Sequence, residues 1–241
     1  MNWPTLIAHR GASAIAPENT FAAFELVNKA CTTWIECDVT LSKDNKAIIF
    51  HDKTLKRQFG INKKINQLTI AEISSLDAGL WFDKKFQDEP IPTLEKLLVW
   101  AKKNKISLNL EIKANGYRLK KLIEVLKELI IKIKFPLNQL LLSSFEIKAL
   151  KYAKILLPAI KRGLLMHRWR RRWKFVCKNL EVSSVHCHYK LLNLERVKKI
   201  KHQGYQLYAY TINHEQLAEQ LFTKGVDGVF SDRIDLFKAS K

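Results

Sequence analysis

The chain has 241 residues, 47% apolar and 27% charged, and 42 Lys and Arg against 23 Asp and Glu give a formal net charge of +19. That apolar fraction excludes intrinsic disorder, and the longest apolar runs, at 137–142 and 155–160, fall far short of the ~20 residues that a membrane-spanning helix needs. A positive excess of this size attracts phosphates, nucleic acids and anionic membranes, but 32 of the cations are lysines scattered through helical stretches. Solvated helix faces account for them, and no nucleic-acid partner is expected.

Strand and helix signals alternate along the whole chain. Nine stretches read as strands: 6–9, 34–41, 47–51, 107–113, 140–143, 162–166, 183–188, 206–211 and 226–231. The clearest helix spans 117–134, where Leu119, Leu122, Ile123, Leu126, Leu129, Ile130 and Ile133 recur at three- and four-residue intervals. Asn19 is expected to cap a helix running to Lys29, and Asn213 one running to Phe222.

This alternation predicts a parallel sheet. Roughly eight strand–helix units in about 240 residues predict a closed (β/α)₈ barrel rather than an open doubly wound sheet. The Gly-x-Gly-x-x-Gly phosphate fingerprint is absent. Residues 53–92 break the rhythm with a polar, aromatic-dotted stretch, read as a short insertion after the second strand region. One domain over 1–241 is expected.

The first ten residues carry no basic segment followed by an apolar one, so no secretory signal is expected and the expected setting is cytoplasmic. The four cysteines, Cys31, Cys37, Cys177 and Cys187, show neither metal-site nor disulfide spacing and read as reduced packing residues.

Residues two apart in a strand share a face. Glu36 and Asp38 therefore point one way while Cys37 points to the helices, and Asn109, Glu111 and Lys113 likewise share a face. Carboxylates on core-facing positions are costly unless paired or bound to a cation. Glu36, Asp38 and Glu111, from two strands, make a hard-oxygen pocket suited to one Mg²⁺ or Ca²⁺. The plain alternative is a buried ion-pair cluster with Lys113 or Arg10. His9 and His51 each follow an apolar run, at the strand ends that form the catalytic rim of such a barrel. Two imidazoles near a carboxylate cluster can give and take a proton, and Arg10 offers a fork of donors for phosphate.

These residues fall in segments that resemble the glycerophosphodiester phosphodiesterase family, especially its short cytoplasmic bacterial members. They are His9-Arg10-Gly11, Pro17-Glu18-Asn19-Thr20, Glu36-x-Asp38-Val39, His51-Asp52 and Glu111-Ile112-Lys113. Later stretches extend the resemblance: Leu142-Ser143-Ser144-Phe145, Tyr210-Thr211-Ile212-Asn213 and Gly225 through Asp232. It covers residues 4 to about 237. It implies a barrel that hydrolyses glycerophosphodiesters to an alcohol and glycerol 3-phosphate with a divalent cation. By position, His9 and His51 match the acid/base pair, Glu36, Asp38 and Glu111 the metal ligands, and Arg10 and Lys113 the phosphate-side cations. The nucleophile is water or the substrate's own glycerol hydroxyl. Two departures stand out: Asp44-Asn45 replaces the usual Asp-Gly turn, and Tyr210 stands where the family commonly has Trp.

Glu18 and Asn19 are expected to brace the site, Glu18 by hydrogen bonding near His9. Phe145 and Trp81 are expected to line the glycerol side of the pocket, with Tyr210 in its wall. His186 and His188 share a strand face and read as pocket lining rather than as a metal pair. In His167–Lys174, Trp169 and Trp173 are expected to pack inward with the arginines solvated, so membrane contact through 168–174 is possible but not favoured. The alternatives in function are a lysophospholipase D-type enzyme at anionic membranes and a non-catalytic basic barrel that binds anions or membranes.

Overall fold

The protein is described here by a computed structural model that covers residues 3–28, 30, 32–113 and 118–237. The chain runs β1 (Leu6–His9), α1 (Phe21–Asn28), β2 (Trp34–Leu41), β3 (Ala47–Ile49), α2 (Lys56–Phe59), α3 (Ile70–Ser74) and α4 (Leu94–Lys103). It continues with β4 (Ser107–Ile112), α5 (Leu119–Ile133), β5 (Leu140–Ser144), α6 (Ile147–Leu156), β6 (Lys161–Met166) and α7 (Trp173–Leu180). The last elements are β7 (Ser184–His188), α8 (Leu194–Lys201), β8 (Gln206–Tyr210), α9 (Glu215–Thr223) and β9 (Gly228–Ser231). Among the described residues, no helix is long and apolar enough to cross a membrane.

Eight strands pair in the order β1, β9, β8, β7, β6, β5, β4, β2, and β2 pairs back to β1, which closes the ring. All eight pairings are parallel. This is the expected (β/α)₈ barrel. The ninth strand, β3, runs antiparallel to β2 outside the ring. It folds the chain back so that Phe50 N–H donates to the Asp38 carbonyl, which sets the next residue, His51, at the barrel mouth. The tight turn before it uses Asn45 at φ 61°, a conformation Asn tolerates.

Alternation divides each strand between two cores. Cys37, Leu108, Leu110, Val185 and Leu207 face the helix layer, where α5 buries Leu122, Ile123, Leu126 and Ile130. Tyr117, the first residue of the expected helix, lies outside the described residues. Ile7, Trp34, Leu141, Tyr208 and Phe230 point inward and floor the barrel. Residues 53–92 close over a small core of their own that includes Phe50, Leu55, Ile65 and Ile73. Cys37, Cys177 and Cys187 are buried and unpaired; Cys31 lies outside the described residues. Trp173 is buried, Trp169 packs against the same core, and Arg168, Arg171 and Arg172 are exposed.

Two expected helix caps are corrected. Ahead of α1 it is Thr20 Oγ1, not Asn19, that accepts from a backbone N–H, that of Ala23 at 3.4 Å. At α9 the N-cap position is His214, with no side-chain cap. Both asparagines instead donate to carboxylates, Asn19 to Asp38 Oδ2 and Asn213 to Asp232 Oδ2, each at 2.8 Å. A charge-assisted hydrogen bond is roughly twice as strong as the neutral cap it displaces.

His186 sits fully buried on the barrel floor. Its ring packs on Phe230 at 5.0 Å and Tyr208 at 5.4 Å, and its Nε2 is 2.9 Å from Ser184 Oγ. Burial pushes its pKa down to about 3, so the ring is neutral. The room for it comes from Gly163, where an added Cβ would lie 2.8 Å from the His186 ring. Gly163→Ala is therefore expected to lower unfolding stability by about 1–3 kcal/mol. A urea midpoint equal to that of the unmodified chain would show that the floor repacks freely.

Candidate active site

Strand register assembles the polar rim. His9 is the β1 partner of Glu36 on β2, and Asp38 is the β2 partner of Glu111 on β4. His51 follows β3, and Lys113 lies just beyond β4. The ends of these strands open into a cavity of about 340 Å³ lined by His9, Arg10, Glu36, His51, Asn109, Glu111 and Lys113, with Phe145, His188, Tyr189 and Tyr210 on its far wall. Thus His9, Arg10, Glu36, His51, Glu111, Lys113, Phe145 and Tyr210, all singled out in the sequence, line one cavity, and Asp38 is buried beside Glu111.

Glu36, Asp38 and Glu111 each place a carboxylate oxygen within 4.8 Å of the other two. Burial, with repulsion from Asp38 and Glu111, raises the Glu36 pKa well above the ordinary carboxylate range. Glu111 is also raised, by burial and then by Asp38. Asp38 goes the other way. Burial would raise it, but Lys113, Arg10 and His51, with the hydrogen bond from Asn19, hold it far below the usual value. Lys113 Nζ lies 2.7 Å from Glu111 Oε1 and 3.2 Å from Asp38 Oδ1, and Arg10 Nε lies 3.3 Å from Asp38 Oδ2. These two cations offset part of the charge. Glu36 Oε1 is buried with no hydrogen-bond donor among the described residues. An orphaned carboxylate oxygen beside two more carboxylates is the donor set that a hard divalent cation takes.

The loop after β1 is shaped for this cluster. Arg10 and Gly11 take φ 58° and 83°, and the Arg10 N–H thereby reaches Glu36 Oε2 at 3.1 Å. A Cβ at Gly11 would lie 2.8 Å from Ala23 Cβ, so only glycine fits against α1.

Each histidine is held by a carboxylate on the same ring nitrogen. His9 Nδ1 lies 2.7 Å from Asp232 Oδ1, and His51 Nδ1 lies 2.6 Å from Asp52 Oδ1. A carboxylate only accepts, so Nδ1 carries the proton in both rings and Nε2 is left for chemistry. His9 Nε2 is 3.8 Å from Glu36 Oε2. Asp232 also accepts from Ser13 Oγ at 2.9 Å and from Asn213. Burial would raise its pKa, but the His9, Asn213 and Ser13 bonds bring it down to about 2. His51 is lowered, chiefly by burial and then by Arg10 and Lys113, against the opposing pull of Asp38 and Asp52.

The remaining expectations divide. Asn19, at φ 60°, clamps Asp38 from both sides, donating to Oδ2 at 2.8 Å and accepting from its N–H at 3.2 Å. Glu18 braces cations rather than His9: it accepts from Arg10 Nη1 at 3.1 Å and from Arg57 Nη2 at 2.6 Å. Arg57 in turn donates to Asp52 at 2.7 Å, which ties the insertion to the His51 pair. Phe145 and Tyr210 do line the cavity, edge to face at 6.1 Å. Trp81 does not line it. Its indole N–H donates to Ala78 O, and its ring lies under Arg57 at 5.5 Å. His188 lines the cavity, whereas His186 is part of the floor.

Sequence reading missed Asp232 and Arg57. Asp232 had a local signal, a carboxylate just past a strand, but nothing local indicates that it meets His9. Arg57 lies in a polar insertion with no periodicity to read.

The family model for the glycerophosphoryl diester phosphodiesterase family matches residues 9–236. A glycerophosphodiester phosphodiesterase of Caldanaerobacter subterraneus is 32% identical over 227 residues, 94% of this chain and 93% of its own length. Another, from Bacillus subtilis, is 29% identical and pairs with 98% of this chain and 85% of its own length. Among solved structures, an Oleispira antarctica phosphodiesterase in complex with the product sn-glycerol-3-phosphate superposes with a TM-score of 0.91 at 38% identity, covering 95% of this chain and 93% of its own. With a whole-barrel match at that identity, and with its carboxylate cluster and both histidines in place, this chain belongs to the glycerophosphoryl diester phosphodiesterase family.

Proposed function

We propose that this chain hydrolyses glycerophosphodiesters to an alcohol and sn-glycerol 3-phosphate, with Mg²⁺ or Ca²⁺ held by Glu36, Asp38 and Glu111. The observation that carries the reading is the pair of carboxylate-held imidazoles opening on one cavity beside a three-carboxylate cluster. A bound divalent ion supplies charge neutralisation to the phosphate oxygens as negative charge grows in the transition state. Arg10 and Lys113 add fixed positive charge at the same wall.

The chain's own proton chemistry falls to the two Nε2 atoms. Burial keeps His51 neutral near pH 7, so its Nε2 lone pair accepts the proton of the nucleophile, water or the substrate's glycerol hydroxyl; a cyclic phosphate formed in the second case is opened by water with the roles of the two rings exchanged. His9, held at Nδ1 by Asp232, delivers a proton from Nε2 to the departing alkoxide. Asp52 and Asp232 position the rings and stabilise each imidazolium while it exists. Tyr210, Phe145 and Tyr189 give the cavity a largely apolar far wall against the substrate's carbon skeleton. A cytoplasmic setting belongs to the same reading, since the described cysteines are unpaired thiols.

Three outcomes test it. His9→Ala and His51→Ala are each expected to lower kcat for glycerophosphocholine by on the order of 10²–10⁴-fold with the fold intact. Asp232→Asn should give a smaller loss in kcat. Near-normal turnover in either histidine variant, with circular dichroism unchanged, would remove that residue from the chemistry.

Chelation is expected to abolish release of glycerol 3-phosphate, and added Mg²⁺ or Ca²⁺ to restore it. Glu36→Gln removes one of three crowded buried carboxylates. In chelator it should melt higher than the unmodified chain, while the cation-induced rise in Tm shrinks. A variant whose Tm still responds fully to the cation would take Glu36 out of the ligand set.

The third outcome concerns pH. A base with a depressed pKa stays unprotonated to lower pH, so the acid limb of kcat/KM should have its midpoint below 6.5, the ordinary histidine value. His51→Ala should erase that acid limb from its residual activity. A limb centred above 6.5 would contradict the assignment of His51 as base.

A further inference from the structure

The cations around the barrel mouth are unevenly compensated. Arg57 is matched by Glu18 and Asp52, Lys113 by Asp38 and Glu111, and Arg233 by Asp235. In the loops after β6 (167–172) and β7 (189–193), the chain carries Arg168, Arg170, Arg171, Arg172 and Lys190 with no carboxylate among them. Arg168, Arg171, Arg172 and Lys190 are exposed, and none has a carboxylate within ion-pair distance among the described residues. The mouth therefore has one quadrant of unopposed positive charge.

That quadrant is anchored and adjoins the site. Trp173, 3% exposed, and Trp169 pin the loop inward with ring centroids 5.9 Å apart, and Arg196 lies over Trp169 at 4.8 Å. Arg170 Nη2 donates to the Phe145 carbonyl at 3.0 Å, and the His167 ring meets the Phe145 ring at 5.4 Å. Lys190 Nζ lies 6.0 Å above Tyr189. Phe145 and Tyr189 are both cavity wall, so the loops that carry these cations border the site on this side. The nearest carboxylate on the neighbouring loop, Glu146, is exposed at the edge of an adjoining cleft.

The aromatic wall offers no cage for a quaternary ammonium. Tyr189 is stacked on His188 at 4.8 Å, with Lys190 already over it, and Phe145 and Tyr210 meet edge to face. A cationic head group would lose the open π-face it needs and would face like charge.

We propose that the alcohol half of the preferred glycerophosphodiester carries a negative charge of its own, such as a second phosphate, and that Arg168, Arg171, Arg172 and Lys190 select for it. The proposal rests on the hydrolysis assigned above and adds which side of the substrate bears the extra anion. The arginines act before chemistry, by concentrating and steering the anion toward the mouth. Exposed charges act through water, so the preference is strongest at low salt.

The experiment measures release of glycerol 3-phosphate from bis(glycerophospho)glycerol, which has a phosphate on each arm, and from glycerophosphocholine. The expected ratio of kcat/KM at low salt is about tenfold in favour of the dianion, counted per scissile end, and it contracts as salt rises. In a variant carrying Arg168→Gln, Arg171→Gln, Arg172→Gln and Lys190→Gln, with Arg170 retained to hold Phe145, the ratio should fall at least about fivefold. A wild-type ratio near one, or a ratio the variant does not change, overturns the proposal while leaving the hydrolysis in place. Release from neither substrate overturns both. A variant that keeps its ratio but no longer sediments with phosphatidylglycerol vesicles assigns the loop to a lipid surface and likewise overturns the proposal.

Discussion

The structure is organised around three carboxylates that the fold forces together inside a barrel. Glu36, Asp38 and Glu111 lie close enough to share one ion, and burial alone would drive protons onto all of them. What surrounds them answers that penalty. Arg10 and Lys113 keep Asp38 ionised, Asn19 clamps it, and the left-handed turn at Arg10 aims a backbone N–H at Glu36. The opposite shifts at Asp38 and Glu36 show how local the compensation is. Asp38 has two cations in contact, whereas Glu36 keeps an oxygen with no donor among the described residues.

The barrel meets this constraint by separating its interior into two levels. The floor is apolar, closed by Trp34, Tyr208 and Phe230, with a neutral His186 packed into the space that Gly163 leaves. The mouth collects charge. Apolar layers below keep water from the rear of the cluster, which strengthens the attraction of Arg10 and Lys113 for Asp38. Stability and chemistry thus occupy different depths of the same strands, as barrel enzymes usually arrange them.

The insertion and the basic loop act at the periphery. Through Arg57, residues 53–92 brace Glu18 and Asp52, so a segment that lines none of the cavity still fixes two carboxylates next to it. The loop after β6 uses two inward tryptophans to hold its arginines outward. One peripheral element is neutralised by its contacts and the other is left charged.

Much of this was legible in the sequence. Two-residue alternation in 34–41 and 107–113 by itself places Glu36, Asp38 and Glu111 on one face of their strands, because a strand's side-chain period is fixed by backbone geometry. The regular succession of strands and amphipathic helices likewise determined the barrel, and motif order pointed to the family. Closure is what only the tertiary structure decided. It sets β9 beside β1, so that Asp232 meets His9 across 223 positions of chain. It also diverted Asn19 and Asn213 from helix caps to carboxylates, and placed Trp81 under Arg57 rather than in the cavity. Local pattern reports which face a side chain takes. Which charge it finds there depends on strands brought together through space, and a buried carboxylate outweighs any preference that a short stretch of sequence encodes.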